Sequence, residues 1–458
     1  MRYVSTRGRA PELTFEEALL TGLAADGGLY VPAEWPRLPT VEPGRPYAET
    51  AAAVMAAYVG EGVPLDALQA ICRDAYAAFR HPAVCPLVQL GDDEWLLELF
   101  HGPTLAFKDV ALQVVGRLFD HVLERRQTRL TVVGATSGDT GSSAIAALAG
   151  RASVDVVILY PQGRVSAIQR RQMTTVDAPN VRTAAIEGTF DDCQDLVKAM
   201  FADAPFRDEH RLAAVNSINW ARVMAQTVYY ATAAASLGNR SVTFAVPTGN
   251  FGNVLAGWIA RRAGAPVHRL VVGSNRNDIL TRFFDTAVMS TNQVVPTLSP
   301  SMDIQVSSNF ERLLFEMNGR DGGLTAEQMG RFRATGRLAV EPDQRTAWLA
   351  PVFRAARVDD DATLDVMRVV WRESEHLVDP HTAVGIGAGR HWREPGVATI
   401  ALGTAHPAKF PEAVVAATGV HPALPDHLGD LFERPERLHV LPNDLAAVER
   451  FVASSTRV

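Results

Sequence analysis

The sequence is short of cysteine, of long apolar runs and of net positive charge. Its three cysteines are an odd number without CxxC spacing, which argues against a disulfide framework or zinc knuckle and fits a reducing cytoplasm. No stretch approaches the roughly 18 apolar residues that span a bilayer, and the opening MRYVSTRGRA lacks the apolar core of a signal peptide. The formal net charge of -7 argues against nucleic acid or anionic membrane as a partner. We therefore expect a soluble cytoplasmic protein without a metal site.

The order of apolar segments indicates the fold class. From about residue 86 onward, the pattern strand, glycine-bearing loop, helix is repeated. The strands 154–160 (VDVVILY) and 241–246 (SVTFAV) are nearly continuous apolar runs, which is typical of a parallel sheet covered by helices on both faces. At 458 residues, the chain is long enough for two such sheets. The sequence therefore predicts an α/β protein with two doubly wound, mainly parallel sheets.

We divide the chain into three parts. Residues 1–82 form a mainly helical N-terminal extension, in which we see no catalytic constellation. Residues 83–238 form the first α/β domain and residues 239–458 the second, with strands that the two sheets can share. Within the second domain, residues 285–360 are interrupted by proline and glycine, and we expect long connections there.

Lys108 lies in the segment ELFHGPTLAFKD, between a predicted buried strand at 95–100 and a helical apolar pattern. Thr104 is the predicted N-cap of that helix, so Lys108 falls near its positive end. The helix dipole and partial burial both lower the pKa of an amine, and a neutral amine can form a Schiff base. A lone lysine is more often exposed, so the rest of the chain has to decide between these interpretations.

Three loops rich in Gly, Ser, Thr and Asn follow predicted strands, where ligands bind in parallel α/β sheets. ATSGDTGSS (135–143) can offer backbone N–H groups to a carboxylate or phosphate, or can be a tight turn. VPTGNFGNVLAG (246–257) suits one small phosphate, since it lacks both the P-loop lysine and the GxGxxG spacing. LGTAHPAKF (402–410) places the hydroxyl of Thr404 at a strand end, and its His406 is either a ligand or a cap.

These features form one chemical set. A neutral-leaning lysine, a cradle for one phosphate, a carboxylate loop and a lone hydroxyl are what pyridoxal 5'-phosphate needs. A hydroxyl next to the pyridine nitrogen leaves that nitrogen largely unprotonated, which favours elimination chemistry. The sequence therefore predicts a pyridoxal-phosphate site.

The same segments carry a family resemblance. STRG, LAADGGLYVP, HGPTLAFKD, TSGDTG, GNFGN and GTAHPAKF, in this order from residue 1 to about 418, resemble the threonine synthase family. That family belongs to the pyridoxal-phosphate enzymes of the tryptophan synthase β fold, fold type II. The resemblance implies conversion of O-phospho-L-homoserine and water to L-threonine and phosphate by γ-elimination and β-addition of water, the last step of threonine biosynthesis.

The resemblance also implies roles for individual residues. Lys108 matches the lysine that binds the cofactor, Thr404 the partner of the pyridine nitrogen, and Asp139 a residue near the cofactor's 3'-oxygen. An ionised Asp139 can only accept hydrogen bonds, whereas many relatives in the wider fold have Asn there. The cofactor-phosphate loop matches Gly249, Asn250, Phe251, Gly252 and Asn253. The loop that receives the substrate carboxylate matches Thr136, Ser137, Gly138 and Thr140.

The leaving phosphate needs a cationic site of its own. The segment GRVSAIQ follows a strand end and offers Arg164 and Ser166, with a surface arginine as the alternative. Other functions also stay open at this stage. The candidates are a phospho-lyase that releases 2-oxobutyrate, a serine or threonine dehydratase, and a catalytically silent binding protein. We expect a monomer or a homodimer.

Overall fold

The computed structural model describes residues 1–214 and 216–457. The strands are β1 (Arg2–Ser5), β2 (Leu13–Thr14), β3 (Tyr30–Pro32), β4 (Leu87–Gly91), β5 (Glu94–Glu98), β6 (Leu130–Ala135), β7 (Val154–Pro161), β8 (Val181–Ile186), β9 (Leu212–Ala213), β10 (Val242–Pro247), β11 (Val267–Ser274), β12 (Val288–Ser290), β13 (Arg337–Ala339), β14 (Phe353–Arg357), β15 (Thr399–Gly403) and β16 (Val440–Leu441).

The helices alternate with these strands. They are α1 (Phe15–Thr21), α2 (Tyr47–Val59), α3 (Leu65–Tyr76), α4 (Lys108–Arg125), α5 (Asp139–Leu148), α6 (Ala167–Thr174), α7 (Phe190–Ala202), α8 (Ala204–Glu209), α9 (Trp220–Ser236), α10 (Gly252–Arg262), α11 (Ile279–Thr286), α12 (Phe310–Met317), α13 (Gly322–Thr335), α14 (Pro342–Gln344), α15 (Asp360–Ser374), α16 (Pro380–His391), α17 (Pro411–Thr418) and α18 (Leu445–Ser455).

Two large sheets organise the chain. The six-stranded sheet has the order β14-β11-β10-β15-β5-β4, and only its edge strand β4 pairs antiparallel. The five-stranded sheet has the order β16-β8-β7-β6-β9, with every pair parallel. Every residue of β7 is buried, as its continuous apolar sequence predicts. The expected α/β class with two mainly parallel sheets is therefore confirmed.

The N-terminal residues pack onto this framework. Strands β1, β2 and β3 form a small antiparallel sheet, and the hydroxyl of Tyr3 accepts a hydrogen bond from the indole of Trp220 at 3.0 Å. Arg7 pairs with Glu311 at 2.8 Å, with both side chains largely buried. The extension is thereby joined to α12 and to α9, and α9 lines the cavity described below.

The structure differs from the sequence prediction in the middle of the second half. Residues 285–360 contain α12, α13 and β14, and β14 extends the six-stranded sheet. Glycines there indicated a connection, yet Gly322 begins a helix because Asp321 caps it by accepting from the Leu324 N–H at 2.9 Å. The apolar run LAAV at 212–215 also predicts a strand, which is confirmed for Leu212–Ala213, and Val215 lies outside the described residues.

Each of the two large sheets contains strands from both sides of the boundary predicted between residues 238 and 239. Strands β4 and β5 precede that boundary and join the sheet of β10 and β15, whereas β16 follows it and pairs with β8. Strands pair through the N–H and C=O groups at their edges. A strand can therefore join a sheet whatever its position in the chain. The division into 1–82, 83–238 and 239–458 stays a prediction. In the described ranges, no helix is long and apolar enough to cross a membrane.

Helices α4 and α5 pack closely, and Lys108 is the first residue of α4. At the crossing point lies Gly116 of α4, where an added Cβ would be 2.7 Å from the carbonyl oxygen of Ala147 in α5. Because that neighbour is backbone, the two helices would have to separate to admit a methyl group.

We expect Gly116→Ala to lower the free energy of unfolding by about 1–3 kcal/mol. The matched control is Gly330→Ala in α13, where an added Cβ meets nothing within 4 Å. That variant should gain about 0.5–1 kcal/mol, because alanine favours the helix over glycine. Urea unfolding of both variants tests this, and changes of the same sign would contradict the close packing of α4 on α5.

Candidate active site

Helix α4 begins at Lys108 and not near Thr104, which corrects the predicted N-cap. Its N-cap position is Phe107, which contributes no side-chain hydrogen bond. Thr104 instead faces Asp109: its N–H donates to one carboxylate oxygen at 2.8 Å and its hydroxyl to the other at 2.7 Å. Leu105, with φ at 62°, turns the chain between the two residues. Lys108 is therefore the first helical residue, where the positive end of the helix disfavours an ammonium.

The amine of Lys108 points into a largely buried environment. Its side chain is 12% exposed, and Nζ donates to Asp139 Oδ2 at 3.2 Å. Burial lowers the pKa of Lys108, with a further decrease from nearby Lys409 and Arg222, while Asp139 opposes the shift. The amine is thus held near a carboxylate yet shifted toward its neutral form.

Asp139 is the centre of a buried ion cluster. Its Oδ1 accepts from Lys409 Nζ at 2.7 Å and from Gln169 Nε2 at 2.9 Å, in addition to the bond from Lys108. Burial alone would raise the pKa of Asp139, but the two ammonium groups outweigh it and hold that pKa well below its ordinary value. Asp139 is therefore an ionised acceptor.

Lys409 completes the cluster, although sequence reasoning gave it no role. It is fully buried and also donates to the carbonyl of Thr104 at 2.9 Å. One signal was present in the sequence: the chain has only three lysines, Lys108, Lys198 and Lys409. In a chain that uses arginine almost everywhere else, a buried lysine points to a requirement for a compact ammonium.

The loop before α10 contributes one wall of the cavity through Pro247, Thr248, Gly249, Asn250, Phe251, Gly252 and Asn253. Phe251 is the N-cap of α10, adopts a φ of 60° and makes no side-chain capping bond. The N–H groups of the first turn consequently face the cavity without a capping side chain, which is an arrangement that binds anions. Asn253 Oδ1 accepts from the hydroxyls of Tyr229 at 2.6 Å and Tyr230 at 2.9 Å. Its Nδ2 is buried without a partner among the described residues.

A second segment supports this loop from behind. Ser307 Oγ donates to the carbonyl of Gly249 at 2.5 Å, and Asn309 Nδ2 donates to that of Asn250 at 3.2 Å. An added Cβ at Gly249 would lie 3.0 Å from the carbonyl oxygen of Ser301. The residues 299–309 that make these contacts belong to the region where the sequence predicts long connections.

The predicted carboxylate loop divides into lining and shaping residues. Asp139 and Thr140 line the cavity with Lys108. Thr136 Oγ1 accepts from the N–H groups of Gly138 at 3.0 Å and Gly141 at 2.9 Å, so it fixes the turn. Gly138 has a φ of 142°, and a Cβ there would lie 2.4 Å from Cδ of Gln169. Ser137 is exposed.

Thr404 lies on the opposite side and also lines the cavity. Its N–H donates to Thr382 Oγ1 at 3.2 Å, which fixes the end of β15 against α16. Asp379 caps α16 and accepts from His381 Nδ1 at 2.7 Å. The other ring nitrogen of His381 accepts from the Ser301 N–H at 3.2 Å. The segment DPHTAVG (379–385) predicts a helix cap at Asp379 or Thr382, and the structure has it at Asp379. His381, which the sequence did not single out, lines the same cavity.

Three other candidates lie elsewhere. Arg164 is exposed, and neither it nor Ser166 belongs to the cavity lining. Ser166 caps α6 by accepting from the Gln169 N–H at 3.2 Å. His406 has the capping role, because its Nδ1 accepts from the Ala408 N–H at 3.2 Å, and burial lowers the pKa of His406 to about 4.

Arg222 is the most informative residue that sequence reasoning missed. It lines the cavity and is 3% exposed, and its Nε and Nη1 have no hydrogen-bond partner among the described residues. It is also the only charged residue in α9, whose sequence WARVMAQTVYYATAAAS is otherwise apolar or neutral. A lone charge in an apolar helix was therefore the signal available.

The cavity fits pyridoxal phosphate. Lys108 offers an amine with a lowered pKa, the first turn of α10 and the unpartnered amide of Asn253 offer donors for a phosphate, and Thr404 offers a hydroxyl. The free backbone donors and the unpartnered amide suit an anionic ligand.

Comparisons with known proteins agree with this geometry. The family described as "Pyridoxal-phosphate dependent enzyme" matches residues 85–343, "Threonine synthase N terminus" matches 2–76 and "Threonine synthase, C-terminal" matches 382–452. Threonine synthase of Pseudomonas aeruginosa is 54% identical over 99% of this chain and 98% of its own length. Threonine synthase of Schizosaccharomyces pombe is 43% identical over 90% of this chain and 88% of its own length.

Solved structures lead to the same group. The crystal structure of threonine synthase from Brucella melitensis with bound pyridoxal phosphate superimposes with a TM-score of 0.97 at 49% identity, covering 100% of both chains. The structure of threonine synthase from yeast superimposes with a TM-score of 0.93 at 38% identity, covering 99% of this chain and 98% of that one. Fold, site and matched regions define the protein as a pyridoxal-phosphate enzyme of fold type II. Within that class, the chain belongs to the threonine synthase family.

The ion cluster yields a test by substitution. Lys409→Met should destabilise the protein by up to about 3–5 kcal/mol, because it removes one partner of a buried pair. The folded-state pKa of Asp139 lies below the unfolded value of about 3.9. Its ionised form therefore stabilises the fold above that pH, and the stabilisation is lost as pH falls through the folded pKa. In Lys409→Met this acid-induced loss should begin at a higher pH, as measured by denaturant unfolding along a pH series.

Two comparison variants make this test specific. Lys198→Met removes an exposed pair, whose side chains are 69% and 73% accessible, and should change stability by less than about 0.5 kcal/mol. The double variant Asp139→Asn with Lys409→Met replaces both charges and should recover part of the loss. An equal loss in the single and double variants would show that the pairing with Asp139 is not what Lys409 contributes.

Proposed function

We propose that this protein converts O-phospho-L-homoserine and water to L-threonine and inorganic phosphate, with pyridoxal phosphate as its cofactor. One observation carries the proposal: a buried lysine with a lowered pKa opens onto the same cavity as the uncapped first turn of α10. The family membership gives the reaction its particular form, since the relatives at 54% and 43% identity are named threonine synthases.

Residue roles follow from position in the cavity and from the family resemblance. Lys108 binds the cofactor covalently, and Asp139 lies beside its Nζ. Thr404 is the partner of the pyridine nitrogen. The cofactor phosphate is held by the residues Gly249, Asn250, Phe251, Gly252 and Asn253. The substrate carboxylate is held at Thr140 and the loop residues Thr136, Ser137 and Gly138.

When bound, pyridoxal phosphate supplies the electron sink that makes the hydrogens on the substrate's Cα and Cβ acidic. Lys108 removes the proton from Cα and then mediates proton transfer at Cβ. Its lowered pKa suits this work, because a base near the operating pH is available unprotonated. Asp139, ionised and tied to Lys409, gives Nζ of Lys108 a fixed acceptor between transfers.

The surroundings of the reaction are also part of the proposal. We infer that the enzyme works in the cytoplasm, as a monomer or homodimer, on a free small-molecule substrate. Its cysteines support a reducing compartment, because Cys72, Cys85 and Cys193 are all buried and unpaired.

Lys108→Ala tests the central assignment. The variant should lose the visible absorbance of the bound cofactor and reduce turnover by about 10²–10⁴-fold or more, because it removes both the covalent link and the base. Lys198→Ala, an exposed lysine remote from the cavity, should keep both signals. Cofactor absorbance and released phosphate are measured on the same samples.

The products separate this function from its nearest alternative. Wild-type protein given O-phospho-L-homoserine should release threonine and phosphate in equal amounts. Phosphate accompanied by 2-oxobutyrate would identify a phospho-lyase instead. No cofactor absorbance in the wild-type protein would overturn the cofactor assignment itself.

A further inference from the structure

Phe251 adopts a backbone conformation that its residue type disfavours. Its φ of 60° and ψ of 0° lie in the left-handed region, where a residue other than glycine is strained. This bend immediately precedes the first turn of α10, whose N–H groups face the cavity without a side-chain cap. A strained conformation of this kind persists only where neighbouring groups fix it.

The neighbouring group that fixes it is Asn309, the residue before α12. The N–H and the Nδ2 of Asn309 both donate to the carbonyl oxygen of Asn250 at 3.2 Å, and so hold the peptide group between Asn250 and Phe251. The next residue, Phe310, packs its ring on that of Phe251 with 5.6 Å between the centroids. The backbone and the side chain of Phe251 are therefore both held by the start of α12.

Arg312 decides which way the amide of Asn309 faces. A guanidinium can only donate, and Nη1 of Arg312 lies 2.5 Å from the amide, so the atom at that end of Asn309 is the oxygen. The amide nitrogen is consequently turned toward two backbone carbonyls, that of Asn250 and that of Ser217 at 3.1 Å. Both side chains are buried, with Asn309 0% and Arg312 1% exposed.

The same arginine joins this contact to the N-terminal extension. Its Nε donates to the carbonyl of Tyr30 in β3 at 3.0 Å, and its Nη2 donates to the carbonyl of Ile218 at 2.6 Å. A buried donor group that binds acceptors from three segments fixes those segments against one another, because each acceptor would otherwise be left unpaired. The extension, in which the sequence shows no catalytic constellation, is thus linked through Arg312 and Asn309 to the loop before α10.

We propose that Asn309 is a positioning residue for the cofactor phosphate, and that the N-terminal extension holds it in place through Arg312. By holding the Asn250 carbonyl, Asn309 keeps Phe251 in the left-handed region and the first turn of α10 open to an anion. It acts through the loop, since it is not one of the described residues that line the cavity. The inference rests on the proposed function, which assigns the loop at 249–253 to the cofactor phosphate.

The test compares two ligands of the full chain freed of cofactor: pyridoxal phosphate, and pyridoxal, which lacks the phosphate. Asn309→Asp keeps an oxygen toward Arg312 but replaces the donor toward the two carbonyls with a second oxygen. We expect it to weaken the binding of pyridoxal phosphate by at least about tenfold and that of pyridoxal by less than about twofold, because the unpaired acceptors disturb the phosphate loop alone. Absorbance titrations give both dissociation constants.

Two further variants make the comparison specific. Asn180→Asp is the matched control, because Asn180 is also buried and donates from Nδ2 to the carbonyls of Leu148 at 2.8 Å and Val154 at 2.9 Å, away from the cavity lining. It should lower the unfolding midpoint and leave the ratio of the two dissociation constants at the wild-type value. Asn309→Ala removes the donor without adding a charge, so it should shift that ratio by about threefold or more even if Asn309→Asp does not fold.

The outcomes separate this inference from the proposed function. An equal loss of affinity for both ligands would assign Asn309 a purely structural role, and an unchanged ratio would show that it does not position the loop; either result overturns the inference. If the wild type binds pyridoxal phosphate no more tightly than pyridoxal, the loop is not a phosphate site, and the cofactor assignment falls as well. If the ratio shifts as expected but the wild type makes no threonine from O-phospho-L-homoserine, the positioning role stands and the proposed reaction falls.

Discussion

The site depends on one buried carboxylate with two ammonium partners. Asp139 accepts from Lys108 at 3.2 Å and from Lys409 at 2.7 Å, and Lys409 also reaches the carbonyl of Thr104. These contacts join the loops that follow β5, β6 and β15. A buried carboxylate is stable only with such partners, so the position of each loop is tied to the charge of the others. The cluster also fixes the position of Lys108, whose pKa is lowered by burial and, to a smaller extent, by Lys409 and Arg222, against the opposing effect of Asp139.

Helix ends add to this constraint. Helices α1, α6 and α7 have capping boxes, in which side chains satisfy the first N–H groups. The N-cap residues of α4, α5 and α10, whose first turns lie at the cavity, contribute no such side-chain bond. Donors are therefore left free at these three helix ends, whereas α16, whose His381 also lines the cavity, is capped by Asp379. An anionic cofactor and substrate complete these ends.

Much of this architecture could be read from local sequence. Continuous apolar segments identified β7 and β10, because a strand buried on both faces needs no polar alternation. The prediction of long connections holds for residues 291–309 but misses α12, α13 and β14, where glycine occurs inside ordered structure. Asp321 caps a helix that begins with two glycines there. Strand β14 is recognisable only through its pairing with β11. Glycine and proline residues in the sequence therefore do not distinguish an ordered, irregular region from a connection.

The sequence by itself determined the α/β class, the glycine-rich loops at strand ends and Lys108 at a helix start. These follow from apolar periodicity and from turn chemistry, which act over a few residues. Only the tertiary structure decided that Lys409 neutralises Asp139, that Arg222 is buried without a counter-ion, and that Arg164 is exposed. Burial and charge pairing depend on which strands become neighbours. That order, in which β15 lies between β10 and β5, is set by packing across the whole chain.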